Sequence, residues 1–328
     1  MILARLCLVG LLLSGVLTAT ADAIESDPLS PPPTTPWFTG TLLSTAGRTV
    51  TEGHLVINPY GYSTRYGAVY HNSFLAQSAV ATRTNIQQTW VTYGVIKGMD
   101  LGIGPQWVGN HTAHADFVGF GDFPLRVGWQ VMRDSADSWR HDIRMWVQET
   151  FPTGSYNDLS PASEGTSATG GGSYATTLAI AAQKTIYLTG DQVFRYRVNA
   201  TYGFYSPVNV QGFNAYGGGF GTVGRVDPGS VTSWTLSGEY AVTRHVAIAI
   251  DMSFQIINAS RFSGSPGVTA GGVPANVGKG YSDLITLAPA LEYSWNENLG
   301  LIAGPWMSLT GRNTQEFFGF AAAVYLFL

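Results

Sequence analysis

Charged residues that alternate with apolar ones are the part of this chain most able to do chemistry. Arg195 and Arg197, for example, are separated by Tyr196 and flanked by further apolar residues. A β-strand directs successive side chains to opposite faces, so both arginines share the face opposite the tyrosine. The same alternation predicts a set of charged side chains that point inward from several strands: Arg126, Arg144, Arg195, Arg197, Asp142, Glu239, Asp251 and Glu292.

Two kinds of chemistry suit this inward-facing set. Rings of charged side chains select solutes by charge in pores. Alternatively, the charges pair with one another and fill a narrow interior, because pairing relieves the cost of removing them from water. Barrels of about 8 strands are filled by side chains and those of about 16–18 strands hold an open channel, so a barrel of a size between these permits either arrangement. Trp146 and Trp306 share the inward phase and are candidates for lining a path for aromatic compounds.

Other groupings offer weaker chemistry. His111, His114 and Asp116 fall within one predicted loop, but their spacing without a helix is not a familiar metal-ligand geometry. His141 lies near Ser138, but the neighbouring Asp142 is predicted to face away from the histidine. We therefore expect no catalytic residues, no enzyme activity, no metal and no cofactor. The net charge of -4 provides no basic field, which argues against a nucleic-acid partner.

The elements that would position these residues are β-strands. No segment after the N-terminal leader has the roughly 18 apolar residues of a spanning helix, only 12% of residues are charged, and the chain holds 40 glycines. These features predict an all-β fold, a transmembrane antiparallel β-barrel of about 12 strands of the outer-membrane type. The predicted strands are His54–Tyr62, Asn85–Ile96, Asp100–Asn110, Gly121–Arg133, Trp139–Thr150, Ser173–Ile186, Asp191–Tyr205, Val231–Thr243, Val246–Asn258, Ser282–Ser294, Leu299–Thr310 and Glu316–Leu328.

The connections are predicted to alternate without exception between short turns and longer loops. Bacterial barrels place short turns in the periplasm and longer loops outside. The predicted external loops are Ser63–Thr84, His111–Phe120, Phe151–Gly172, Ser206–Ser230, Ala259–Tyr281 and Gly311–Gln315. The last strand is apolar, ends at Leu328 and resembles the C-terminal strand by which the barrel-assembly machinery recognises outer-membrane proteins. The expected partners are therefore that machinery, outer-membrane lipid and a small solute.

The N-terminal residues predict export and a separate arm. Arg5, the apolar run Leu6–Leu17 and Ala21-Asp22-Ala23 have the layout of a cleaved signal peptide over residues 1–23. Residues 24–51 are rich in Pro, Ser and Thr and are predicted to form either a periplasmic arm or a plug inside the lumen. Residues 52–328 are predicted to form the barrel.

Two motifs resemble a bacterial outer-membrane family named for the MetA pathway of phenol degradation. One is Gly119-Phe120-Gly121-Asp122 at the entry to a strand. The other is the loop Phe151-Pro152-Thr153-Gly154-Ser155-Tyr156, followed by Ala162-Ser163-Glu164-Gly165-Thr166. The resemblance implies an outer-membrane barrel that passes small, often aromatic or apolar, compounds. It transfers Gly121, Asp122, Pro152, Thr153 and Gly154 as structural matches and no catalytic residue.

The sequence therefore favours an outer-membrane channel for passive passage of small molecules. The alternative is a structural or surface-interaction barrel with a filled lumen and functional external loops.

Overall fold

The computed structural model describes residues 36–135, 139–188 and 192–328, which fold mainly as β-strands. The predicted signal peptide, residues 24–35 and Ser138 lie outside the described residues. Within those ranges, no helix is long and apolar enough to cross a membrane. The strands are β1 (Leu55–Tyr70), β2 (Ala76–Ile96), β3 (Met99–Ile103), β4 (Gln106–His111), β5 (Asp116–Phe120), β6 (Phe123–Met132), β7 (Asp142–Phe151), β8 (Ala175–Tyr187), β9 (Val193–Tyr205), β10 (Val208–Gln211), β11 (Val223–Asp227), β12 (Val231–Ala241), β13 (Val246–Ile257), β14 (Arg261–Ser265), β15 (Ser282–Ser294), β16 (Leu299–Arg312) and β17 (Thr314–Phe327).

The main sheet closes on itself. β1 pairs antiparallel with both β2 and β17, and the remaining neighbours follow in chain order around the barrel. β3 and β4 are two halves of one strand, interrupted at Gly104-Pro105, and β5 and β6 are halves of the next, interrupted at Gly121-Asp122. The 14 segments of the sheet therefore form a closed barrel of 12 antiparallel strands, which confirms the predicted fold class.

The two faces of the barrel follow the period of two. On β13, Ile248 and Ile250 are 54% and 48% exposed on the outside, whereas Ala249 and Asp251 are fully buried on the inside. An apolar outer face and a polar inner face are what a barrel in a lipid bilayer requires.

Three of the predicted external loops are wrong. The predicted loop Ser63–Thr84 is mostly strand, with a turn at 71–75. The predicted loop His111–Phe120 is reduced to a turn at 112–115, and the predicted loop Gly311–Gln315 is reduced to the single residue Asn313. Connection lengths therefore do not alternate without exception. These strands continue beyond the apolar belt, where polar side chains are tolerated on both faces, so polarity alone marked them wrongly as loops. The predicted strand start at Trp139 likewise moves to Asp142. The predicted start at Asp191 lies outside the described residues, and that strand is described from Val193.

The connections define two ends of the barrel. The loop end carries the long connections 152–174, 206–230 and 258–281, and the turn end carries the connections 97–98, 242–245 and 295–298. The long connections fold into a small sheet of β10, β11 and β14, with a core of Val208, Val210 and Val226. Beside this core, Tyr216 Oη donates to Gly171 O at 2.8 Å. Burial raises the pKa of Tyr216 to about 12, so its hydroxyl stays protonated.

Candidate functional site

A segment that precedes the first strand lies inside the barrel at the turn end. Residues 36–53 are called the arm below; they comprise the described part of the predicted segment 24–51 and the two residues after it. The arm begins where Trp37 N donates to Arg244 O at 3.0 Å in the turn after β12. The arm ends where Gly53 N donates to Gly94 O at 2.9 Å on β2. Between these points it follows the inner wall past one strand after another.

The arm is held by side chains that point inward from the strands. Its backbone N–H groups donate to carboxylate and amide oxygens, with N···O distances of 2.6 to 3.4 Å. Along the chain the pairs are Thr39 and Gly40 to Glu292, Leu42 and Leu43 to Asp251, Thr45 to Asn199, Gly47 to Gln183, Thr49 to Gln130 and Val50 to Asp100. A segment without a partner strand thereby satisfies the backbone donors that burial would otherwise leave unpaired.

Glycines on both sides make room for this contact. A Cβ atom at Gly94 on β2 would lie 2.0 Å from Thr51 O, and one at Gly300 on β16 would lie 2.2 Å from Thr39 Oγ1. In the arm, Gly40 has a φ of +115°, in the region that favours glycine, and lies against the Arg197 guanidinium. The barrel wall and the arm are therefore sterically matched.

An apolar contact anchors the middle of the arm. Leu42 is 2% exposed and packs in a cluster with Ala249, Ala288 and Ile302. Tyr60, Tyr62 and Trp306 border the same cluster. The small alanine side chains on the inner face leave the space that the leucine fills, so burial of Leu42 contributes to seating the arm.

The predicted charged set divides into separate groups. Arg195 forms two hydrogen bonds with Glu239, at 2.6 and 2.5 Å, and Arg197 Nε lies 3.4 Å from the same carboxylate. Arg144 pairs with Asp100 at 2.6 Å, and a Cβ at Gly128 would lie 2.4 Å from that carboxylate. All of these side chains lie on the inner face, in one group around Glu239 and another around Asp100.

The remaining acidic residues of the set bind the arm. Asp142 pairs with Arg48 of the arm at 2.5 Å, and Asp251 and Glu292 accept the backbone N–H groups described above. Ser237 Oγ also donates to Asp251. The basic partner of Asp142 is therefore Arg48 of the arm and not one of the inward arginines.

Arg126 differs from the other inward arginines. Among the described residues it has no carboxylate within salt-bridge distance; its guanidinium donates to Gln148 Oε1 at 2.9 Å. It lies over the ring of Trp90 at 4.0 Å and near that of Trp146 at 5.2 Å, where cation–π attraction stabilises it. Trp306, the other predicted aromatic candidate, contacts Tyr62 and the ring of Phe317 on the inner face.

The two family-like motifs meet at the loop end. Asp122 accepts hydrogen bonds from Gly154 N at 2.9 Å and Gly171 N at 2.8 Å, and Thr153 Oγ1 donates to Gly121 O at 2.7 Å. Pro152 directly precedes Thr153 in this loop. The motifs therefore tie the 152–174 loop to the break between β5 and β6.

The histidines that the sequence suggested as weak candidates lie apart. His114 Nδ1 is 3.1 Å from Glu164, and the hydrogen bond from Thr112 is the main reason that the pKa of Glu164 is lowered. His141 contacts the Tyr196 hydroxyl at 2.5 Å, while Asp142 turns to the arm. In the described part of the chain, no group of three potential metal ligands occurs.

Several residues of this site escaped the sequence analysis as candidates. They are the arm-binding side chains Asp100, Gln130, Gln183 and Asn199, together with Arg48 of the arm. Inward phase was the available signal for the first four, since each lies on a predicted strand; Arg48 lies in the arm, where no strand pattern gives a phase.

Comparisons with known proteins agree with this geometry. No protein-family model matches the chain, and no curated protein matches it. The crystal structure of an outer membrane channel from Pseudomonas putida F1 superposes with a TM-score of 0.65, covering 86% of this chain and 97% of that one, at 15% sequence identity. The fold is that of an outer-membrane β-barrel.

Two further barrels match with lower scores. The NanC porin has a TM-score of 0.41, with 11% identity over 83% of this chain and 98% of its own. The CymD monoaromatic hydrocarbon channel has a TM-score of 0.37, with 8% identity over 85% of this chain and 88% of its own. The fold assignment depends on the first comparison and on the closed sheet, not on these two.

Proposed function

We propose that this chain is a channel of the bacterial outer membrane for the passive passage of small aromatic or apolar compounds, and that the arm closes its periplasmic end. The observation that supports this proposal is the position of the arm inside the lumen. One segment tethered at Gly53, instead of side chains of the strands alone, occupies the lumen at the turn end. Such a segment can leave the lumen while the strands stay paired, so the barrel can open without unfolding.

The bonds that seat the arm are individually modest. A hydrogen bond from a backbone N–H to an amide oxygen contributes about 0.5–1.5 kcal/mol net, and one to a carboxylate contributes about 1.5–3 kcal/mol, because water replaces each bond on release. The bonds lie side by side along one extended segment, so we expect them to break together. A seat of several such bonds, the Leu42 contact and the Arg48–Asp142 pair gives a closed resting state that remains reversible.

The rest of the inner face supports the choice of solute. Aromatic side chains of Tyr60, Tyr62, Trp90 and Trp306 lie on the inner face together with uncharged polar groups. Aromatic rings attract other rings through offset or edge-on contacts. The resemblance of the Gly121-Asp122 and Thr153-Gly154 motifs to a family associated with phenol degradation also supports this solute class.

The membrane and its orientation follow from the same proposal. Barrels of this type are assembled into the outer membrane with their longer loops outside. The loop end then faces the exterior and the arm faces the periplasm, with outer-membrane lipid and the assembly machinery as partners. Export through the predicted signal of residues 1–23 would bring the chain there.

A structural or surface-interaction barrel is the second candidate. The observation in its favour is the small external sheet of β10, β11 and β14, which has its own core. In that case the arm would be a permanent filling and the loops would bind a partner.

Solute flux into liposomes separates the two functions. Residues 24–328 and a variant without residues 24–51 are reconstituted, and uptake of benzenesulfonate and cyclohexanesulfonate is measured, since neither anion crosses lipid readily. A channel predicts uptake above protein-free liposomes that increases without the arm and favours the aromatic anion. No uptake by either form, with folding verified by heat modifiability, would overturn the channel and favour the surface barrel.

A further inference from the structure

A row of basic side chains lies on the outside of the barrel near the loop end. Arg65 on β1 is directly opposite Arg83 on β2, and Arg83 is directly opposite His111 on β4. Within the described residues, neither arginine has a hydrogen bond, an ion pair or a ring contact. Like charges directly opposite on one face of a sheet repel each other, so this row costs stability unless an anion joins it.

The row lies at the border of the apolar belt. Arg65 is also opposite Phe318 on β17, which is 51% exposed on the outer face, and Phe320 next along that face is 60% exposed. On the other side, Trp107 and Phe120 form an outward edge-to-face pair at 5.6 Å. Aromatic residues gather where the membrane meets water, so the basic row is at the height of lipid head groups.

The row also lines an open surface depression of about 410 Å³, called the cavity below, near the ends of β1, β2 and β4. Both arginines, Asn85 and His111 contribute to its lining. Asn85 Nδ2 and Asp116 Oδ1 hold the two ring nitrogens of His111 at 3.0 and 2.9 Å, which fixes the ring between its neighbours. The cavity therefore combines two unpaired guanidinium groups with a fixed polar wall.

We propose that this cavity binds a phosphate group of lipopolysaccharide in the outer leaflet. Guanidinium groups match phosphate oxygens with paired N–H donors, and one phosphate between Arg65 and Arg83 would replace their repulsion with two charge-assisted contacts. The apolar outer face beside Phe318 and Phe320 accommodates the acyl chains of the same lipid. A lipid ligand explains why the cavity adjoins the membrane belt, which a free phosphate would not require.

Binding of labelled lipopolysaccharide tests this site, independently of any channel activity. Refolded residues 24–328 in detergent are titrated with lipopolysaccharide and with its dephosphorylated form, with inorganic phosphate as a competitor. The test variant is Arg65→Gln/Arg83→Gln. The matched control is Arg225→Gln/Arg261→Gln, which removes the same charge from exposed positions on the small external sheet.

The expected result is a loss of at least about tenfold in affinity for intact lipopolysaccharide in the test variant, the size of a single charge-assisted contact, and no loss in the control. The test variant should bind the dephosphorylated form as the unaltered chain does. Equal affinity of the unaltered chain for both forms, or an unchanged test variant, would overturn the proposal. Displacement of the lipid by an equimolar amount of inorganic phosphate would also overturn it, in favour of a site for soluble anions.

Discussion

Shortening Leu42 should release the arm from the lumen. Leu42 is 2% exposed in its apolar cluster, and core Leu→Ala changes cost about 2–5 kcal/mol. The cluster borders the lumen, where water can enter the space left behind, so we take about 2–3 kcal/mol for Leu42→Ala. The substitution destabilises only the conformation in which the arm lies in the lumen. At about 1.4 kcal/mol per tenfold, it raises the fraction of molecules with the arm released roughly 30- to 150-fold.

Thiol labelling measures that fraction. Ser44 of the arm is buried, and Ser44→Cys provides the probe, since the chain's single cysteine, Cys7, lies in the predicted signal. The labelling rate should rise by the same 30- to 150-fold, the range derived above, in the Leu42→Ala background. Leu291→Ala is the matched control, because Leu291 is 57% exposed on the outer face. A Leu42→Ala rate within about twofold of the control, the scatter of independent sites, would refute the assignment of Leu42 as an anchor.

Three other changes test the arm and the inner charges. Gly94→Val should release the arm, because its Cβ would lie 2.0 Å from a backbone oxygen of the arm, whereas Gly61→Val, with nothing within 4 Å, should leave the labelling rate unchanged. Glu239→Gln removes the carboxylate that pairs with the buried Arg197 and the partly buried Arg195 and should lower stability to urea by about 3–5 kcal/mol; an unchanged midpoint would contradict the pairing. Arg126→Gln removes an inward charge that lacks a carboxylate, so the reversal potential in a salt gradient should move toward cation preference, and no movement would exclude it from the conducting path.

The alternation of apolar and polar residues was enough to predict the barrel and its faces. On β13 the period of two separates Ile248 and Ile250 from Asp251. Because the outer face of a barrel meets hydrocarbon and the inner face is polar, the isoleucines must face outward and the aspartate inward. The alternation could not mark where strands end beyond the membrane. Around Arg83 both faces are polar, as in a loop, yet the backbone still pairs with β1 and β4.

The inner site was harder to predict, for a physical reason. The phase of a strand shows that Asp251 and Asp142 point inward, but not which group they meet. Their partners are Leu42 and Arg48, which belong to a segment with no strand pattern and are far away in sequence. This Pro-, Ser- and Thr-rich segment has no strand pattern, and between Thr39 and Val50 its backbone N–H groups donate to inward side chains instead of a ladder.

Single-channel conductance in a planar bilayer tests the central claim, that the arm closes a conducting barrel. Residues 24–328 and the form without residues 24–51 are refolded in detergent and inserted under the same conditions. The account predicts low or intermittent conductance with the arm and a steady, larger conductance without it. Equal conductance in both forms would contradict the arm as the closure, and silence in both folded forms would contradict the channel itself.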